Sequence, residues 1–373
     1  MKTIPLFRVH MPESVIRPLL DTLFSGFIGQ GEKVNEFERA LLRYVQTRNV
    51  LSLNSGTTGL HLALHLAGAG PGNEVISTPF TCSATNTAIH HSRARIVWAD
   101  IDPATGNIDP ESVERLITAK TRAVVCVHWA GYPCDLEELN AIAADHGLAV
   151  IEDAAHAFGA TYKGRAIGSV SDFTAFSLQA IKHITTIDGG LLCCKSDEAY
   201  RRGKLLRWYG MDRETDDREL RCNHDVIEAG WKYHMNDISA TIGIEQLKYA
   251  DGILATHREN AAYYFKAFAE GEFKHVRPLQ YKDDRLGSYW LFTVLVDNRD
   301  SFRDFMRERG VHTSRAHVRN DWHTCFKGAK TPRKLSGVEY FDNFQINIPV
   351  HWGVTPDDRA YIMDCIREWD RQV

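Results

Sequence analysis

The sequence predicts an α/β protein: a mainly parallel sheet flanked by helices, followed by a smaller C-terminal α+β domain. Three observations lead there. Short apolar runs alternate with helical patterns through the first two thirds of the chain, the order that builds parallel sheets. After about residue 270 that alternation stops. The 373 residues also exceed the roughly 250–300 at which single cores stop growing. Two domains are therefore expected, at 1–255 and 256–373.

Taken in order, Val15, Leu19, Leu20 and Leu23 share helical spacing and predict a helix over 15–23, stopped by Gly26. Val34, Phe37, Leu41, Tyr44 and Val45 mark the apolar face of a second helix. A strand at 49–53 leads into a helix at 57–66. Strands follow at 74–77, 95–98 and 123–127, then a helix at 135–146 and a buried strand at 149–152. Two more strands, 173–176 and 191–194, precede helices at 197–209, 236–250 and 254–268. The C-terminal part reads as a strand at 289–296, a helix at 300–309, an irregular stretch rich in His and Arg, and a helix at 355–369.

The composition is 44% hydrophobic and 25% charged, with a net charge of −4, as in ordinary globular proteins. Charges of both signs are interspersed, which argues against a nucleic-acid or membrane surface. No window approaches the ~18 uninterrupted apolar residues of a membrane helix, and no signal peptide is visible. The eight cysteines form no C-x-x-C pair, which argues against a zinc ribbon or a disulfide framework. Together these features favour the cytoplasm, a reducing compartment.

Ligands of open α/β sheets bind beyond the carboxyl ends of the strands, and three such loops carry reactive residue types. Asn54-Ser55-Gly56-Thr57-Thr58 joins a strand to a helix. Its glycine, its hydroxyls and the helix-start N–H groups suit a phosphate; alternatively Ser55 or Thr57 only caps the helix. Val150-Ile151-Glu152-Asp153-Ala154-Ala155-His156 ends a buried strand on two carboxylates. Asp153 there suits a protonated ring nitrogen, with two alanines making room for a flat ring; a structural ion pair is the alternative. The third loop runs from Phe176-Ser177 through Lys182-His183 to Asp188-Gly189-Gly190. A lysine in an apolar loop beside a histidine loses its proton more easily than one in water, and Schiff-base chemistry needs a neutral amine. The order phosphate loop, acid, lysine supplies three parts of one cofactor site.

These residues resemble the DegT/DnrJ/EryC1/StrS group of sugar aminotransferases. The resemblance spans nearly the whole chain: Gly29-Gln30-Gly31 with Val34 and Phe37-Glu38, then the three loops above, then Met235-Asn236-Asp237-Ile238 with Gly243 and Gln246-Leu247. It implies the type I (aspartate aminotransferase) fold of pyridoxal-phosphate enzymes. The implied cofactor is pyridoxal 5'-phosphate, joined to Lys182 as a Schiff base and passing through pyridoxamine phosphate. Lys182 is then also the proton shuttle, Asp153 the partner of the ring nitrogen and His156 the neighbour of the ring hydroxyl. Ser55, Gly56, Thr57 and Ser177 surround the phosphate. The implied reaction moves an amino group from glutamate, leaving 2-oxoglutarate, onto a keto sugar linked to a nucleoside diphosphate. A 4-keto-6-deoxy sugar is the expected acceptor, in polysaccharide or glycoside biosynthesis such as that of lipopolysaccharide O-antigen. The resemblance further implies a homodimer with shared active sites, in which the 230–235 segment reaches the neighbour's phosphate and Gln30 lies near substrate.

Two positions depart from the family pattern. Cys82, in Phe80-Thr81-Cys82, stands where an aromatic side chain usually stacks on the cofactor; either its sulfur packs on the ring or Phe80 moves in. Lys232, in Gly230-Trp231-Lys232-Tyr233-His234, stands where the family usually has asparagine, with a full charge available for a phosphate. The dehydratase branch of the family replaces the Schiff-base lysine by histidine; retention of Lys182 favours transamination. Sugar dehydration on the same scaffold and a non-catalytic sugar-nucleotide binding protein are the alternatives. Finally, His312, Arg315, His317, Arg319, Asn320, Asp321 and His323 crowd one stretch. Arg315, His317, Arg319 and His323 are candidate substrate ligands, because arginine pairs well with phosphate oxygens; a polar surface loop is the alternative reading. No pair there has the short spacing of a metal site.

Overall fold

The computed structural model describes residues 3–213, 225–331 and 333–373. The chain opens with helices α1 (Ile16–Leu23) and α2 (Glu32–Val45), strand β1 (Val50–Leu53) and helix α3 (Gly56–Leu66). There follow β2 (Glu74–Ser77), α4 (Ser83–His91), β3 (Arg95–Trp98), the short α5 (Pro110–Glu114) and β4 (Thr121–Val127). Next come α6 (Leu136–His146), β5 (Ala149–Asp153), a small hairpin of β6 (Thr161–Tyr162) and β7 (Arg165–Ala166), and β8 (Phe173–Ser177). Strand β9 (Gly190–Cys194) and helices α7 (Asp197–Leu206) and α8 (Asp237–Leu247) complete this part.

Seven strands form one sheet in the order β1-β9-β8-β5-β4-β2-β3. Only β9 runs against the others, pairing antiparallel with both β1 and β8. The strands at its centre are nearly continuous apolar runs because both faces are covered by helices. The residues shared with the family at 29–31 and 236–237 prove to tie helices together. Asp237 accepts hydrogen bonds from the backbone N–H of Gly31 (2.7 Å) and Val34 (3.1 Å), satisfying the open donors at the start of α2. Gly243 lets α8 pass closely by Phe37, whose ring a Cβ there would meet at 2.6 Å.

Helix α9 (Ala250–Glu270) is 21 residues long and unbroken, and it contains residue 255. Its buried face, including Ala261, Tyr264 and Phe268, enters a separate apolar cluster. That cluster also draws on the antiparallel sheet of β10 (Val276–Pro278), β12 (Phe292–Val296) and β13 (Gln345–Ile348), on α10 (Arg299–Glu308) and on α12 (Pro356–Asp370). Strand β11 (Arg285–Leu286) extends the β6–β7 hairpin, and α11 (Ser336–Phe344) precedes β13.

Periodicity failed to predict α4, α5, β6, β7, β10, β11, α11 and β13; in α4 and β13 the cause is buried polar residues that interrupt the apolar pattern. In β13, Gln345 and Asn347 are fully buried; Asn347 accepts from the Thr293 hydroxyl (2.7 Å) and donates to the Ser314 carbonyl (2.9 Å). In α4 the buried Thr85 and Asn86 face inward. Among the described residues no helix is long and apolar enough to cross a membrane, no metal-ligand cluster occurs, and the seven described cysteines are unpaired.

Candidate active site

A cavity of about 290 Å³ opens at the carboxyl ends of β1, β5 and β8 and brings the three loops together. Ser55, Gly56, Thr57, Cys82, Asp153, His156, Ser177, Lys182 and His317 all line it.

Lys182 sits in a loop closed by backbone hydrogen bonds from Leu178 to Gly189 and from Thr186 to Leu178, both 2.9 Å. The buried Leu178 and Ile184 anchor that loop in the core. The amine lies 3.8 Å from the centre of the Trp290 ring. Burial holds its pKa down at about 8, against a smaller upward pull from Asp153. The sequence reading credited His183 with part of this effect. Instead, His183 turns away and donates through Nε2 to the Ser288 carbonyl at 2.9 Å, so burial accounts for the lowered value.

Two adjacent carboxylates divide the labour at the end of β5. Glu152 is fully buried and structural, held by His128 Nε2 (2.8 Å), the Ser171 N–H (3.0 Å) and the Thr174 hydroxyl (3.2 Å). Asp153 points into the cavity. Its Oδ2 accepts from the Thr85 hydroxyl at 2.6 Å and its Oδ1 from the Ala155 N–H at 3.1 Å. Each oxygen keeps a lone pair for a further donor. Thr85 in turn meets the Thr81 hydroxyl at 2.8 Å, so α4 orients the acid.

At the start of α3 the two readings of the Ser55 loop both apply. The Ser55 hydroxyl caps the helix, accepting from the Thr58 N–H at 3.1 Å. The N–H groups of Gly56 and Thr57 are left as the open donors of the first turn, beside the Ser177 side chain, an arrangement that suits an anion. The cradle leaves no spare room: a Cβ on Gly190 would lie 2.3 Å from the Ser55 carbonyl, and one on Gly56 would lie 3.1 Å from the Ser177 Cβ.

The wall opposite is aromatic. Trp290 donates through Nε1 to the Ile181 carbonyl (2.8 Å) and stacks on His156 at 3.9 Å between ring centres. His317 lies parallel to His156 at 5.5 Å. Burial lowers the ring pKa of both histidines; for His317, with Lys182 adding repulsion, it falls to about 4. His156 Nδ1 and His317 Nε2 are buried and have no partner among the described residues. Cys82 lines the cavity, whereas Phe80 is packed in the core against Trp129 and Phe341, each 4.9 Å away.

Other predicted residues lie outside the cavity of this single chain. Lys232 is exposed; the carbonyls of Lys232 and Tyr233 accept from the Asn54 side chain (3.0 Å) and N–H (2.7 Å), which holds this segment against the Ser55 loop. Gln30 is partly buried, and its Oε1 has no partner among the described residues. Arg315 pairs with Asp342, and Arg319 forms a two-pronged pair with Asp321 at 2.8 and 2.6 Å. His323 packs near Phe326. Sequence reasoning missed Trp290, which lines the cavity, and Thr85, which orients Asp153. Trp290 opens the apolar 290–296 run and carried no local signal of a site.

The open phosphate donors, the tight glycine cradle, the doubly anchored Asp153 and the unpartnered histidine nitrogens fit pyridoxal phosphate, with Lys182 in reach of the same cavity. Known structures agree. AtS13 from Actinomadura melliaura is 41% identical, with a TM-score of 0.94 over 99% of each chain. The sugar aminotransferase CalS13 from Micromonospora echinospora is 37% identical, with a TM-score of 0.93 over 98% of this chain and 99% of that one. The pyridoxal-phosphate form of the putative sugar aminotransferase Spr1654 from Streptococcus pneumoniae is 27% identical, with a TM-score of 0.91 over 100% of this chain and 99% of that one. The model of the DegT/DnrJ/EryC1/StrS aminotransferase family matches residues 10–367, and the chain belongs to that family as a sugar aminotransferase of fold type I that uses pyridoxal phosphate.

Proposed function

We propose that the protein moves an amino group from glutamate to a 4-keto-6-deoxy sugar linked to a nucleoside diphosphate, in polysaccharide or glycoside biosynthesis in the cytoplasm. The observation that carries the reaction type is the Lys182 amine, with its pKa held near 8, in one cavity with Asp153. A histidine, the mark of the dehydratase branch, is absent from position 182.

Gly56, Thr57 and Ser177 hold the phosphate of the cofactor, Asp153 its ring nitrogen and His156 its ring hydroxyl; Cys82 packs over the ring by its sulfur. Bound there, pyridoxal phosphate supplies an aldehyde that condenses with amines and a ring that takes up the electron pair left on deprotonation. Asp153 keeps the ring nitrogen protonated. Lys182, whose pKa burial holds near 8, in its neutral form takes the proton from the α-carbon of glutamate through Nζ and returns it on the side of the cofactor. The same transfers run in reverse on the sugar carbon. Lys232 and Gln30 reach the active site of the partner in a homodimer, which accounts for the exposed Lys232 and for the unpartnered Gln30 oxygen. His317 contacts the sugar, and His323 frames the approach of its diphosphate, with Arg315 and Arg319 nearby but already paired with Asp342 and Asp321.

The test is turnover with glutamate and a panel of nucleotide-linked 4-keto-6-deoxy sugars, read by mass spectrometry of the sugar and by 2-oxoglutarate release. One 2-oxoglutarate per amino sugar is expected, with no product from Lys182→Ala. Loss of the sugar hydroxyl without amine transfer would refute the proposed reaction.

A further inference from the structure

At the opposite end of the sheet from the cofactor cavity lies a groove of about 500 Å³. It opens at the amino ends of β2, β3 and β4, where Glu74, Arg95 and Lys120 begin or precede those strands. Its rim carries Arg93, Arg95 and Lys120, all exposed. Their side chains make no hydrogen bond or ion pair among the described residues. The one carboxylate lining it, Glu74, is already matched by Lys330 and by the Thr118 hydroxyl at 2.8 Å. The groove therefore gathers three cations without an ion-pair partner around one concavity, Lys120 alone feeling the Glu74 carboxylate, and such a field concentrates anions.

Two further observations shape the ligand. Arg93 stands just past the end of α4 with φ 64°, a position where glycine is commonest, and there it lines the rim of the groove. The floor is apolar, formed by the buried Ala94, Ile96 and Phe326. We propose that this groove is a second ligand site, for a nucleoside diphosphate: Arg93, Arg95 and Lys120 hold the phosphates, and Phe326 with Ala94 and Ile96 receives the base.

One continuous segment runs from the groove to the active site. Residues 325–329 form its wall. A few residues earlier, Asn320 donates to the Thr81 carbonyl (2.8 Å) and its N–H to that of Pro79 (2.7 Å), beside Cys82. Before it stands His317, in the cofactor cavity.

Calorimetry of the holoenzyme with inorganic pyrophosphate and with ADP tests the site, against the triple variant Arg93→Gln, Arg95→Gln, Lys120→Gln. These residues touch neither the cofactor cavity nor the core, so basal turnover stays unchanged. The wild type should bind both probes, ADP the more tightly, with affinity falling as salt rises. The variant should bind each at least tenfold more weakly. Identical isotherms for the two proteins would place any binding in the catalytic cavity and overturn the proposal, as would the absence of saturable binding by the wild type. Should the triple variant fold poorly, Arg95→Gln with Lys120→Gln alone carries the same comparison.

Discussion

A buried lysine whose charge is disfavoured in the fold should weaken the fold, and Lys182 allows this to be measured. Its pKa falls from 10.5 in the open chain to about 8 in the folded apo-protein, mainly through burial. At about 1.4 kcal/mol per unit, the shift corresponds to about 3 kcal/mol. The sign follows from proton binding. Below pH 8 both folded and unfolded chains carry the charge, and the whole penalty falls on the fold. Between pH 8 and 10.5 the folded chain has released the proton while the unfolded chain keeps it, so stability rises with pH. Above 10.5 neither is charged and the penalty is gone. The ammonium recovers about 1 kcal/mol from the Trp290 ring 3.8 Å away. Lys182→Met, which fills similar space without charge, should therefore stabilise the apo-protein by about 2 kcal/mol at pH 7. Urea unfolding of both cofactor-free proteins from pH 7 to 10.5 measures the difference. It should shrink steadily above pH 8; a pH-independent difference, or a less stable variant at pH 7, would refute the reasoning.

Other expectations follow from the same geometry. Thr85→Val removes the 2.6 Å hydrogen bond on Asp153; bonds to charged groups are worth ~1.5–3 kcal/mol, so kcat should fall about 10- to 100-fold while bound cofactor, read by absorbance, is retained. Gly190→Ala drives a Cβ to 2.3 Å from the Ser55 carbonyl and should cost about 1–3 kcal/mol or more in thermal unfolding, with cofactor lost on dialysis. Capture of added pyridoxal phosphate by the apo-protein needs a neutral Lys182, so its rate should climb about tenfold per pH unit up to pH 8 and level off above, as followed by stopped-flow absorbance.

The sequence by itself determined the sheet, the order of its strands along the chain and most of the residues that line the cavity. Those features depend on local chemistry: a glycine and hydroxyls at a helix start, an acid ending an apolar strand, a lysine in an apolar loop. Each is legible because neighbouring residues in the chain produce it. Helix α4 was hidden because Thr85 and Asn86 interrupt the apolar run of its buried face, where they serve Asp153, the Ser77 hydroxyl and the Thr78 carbonyl beside the core residues Ala88 and Ile89. Trp290 was hidden for a different reason: it comes from the far part of the chain, 108 positions beyond Lys182, and only folding brings its ring under that amine. The same holds for the His/Arg stretch. Its composition suggested a set of equal ligands, but a guanidinium takes whichever carboxylate lies near, and Asp342 and Asp321 claim Arg315 and Arg319, leaving His317 in the cavity. Residue types fix which chemistry is available; tertiary packing, by choosing the partner of each charge, decides which groups remain free to perform it.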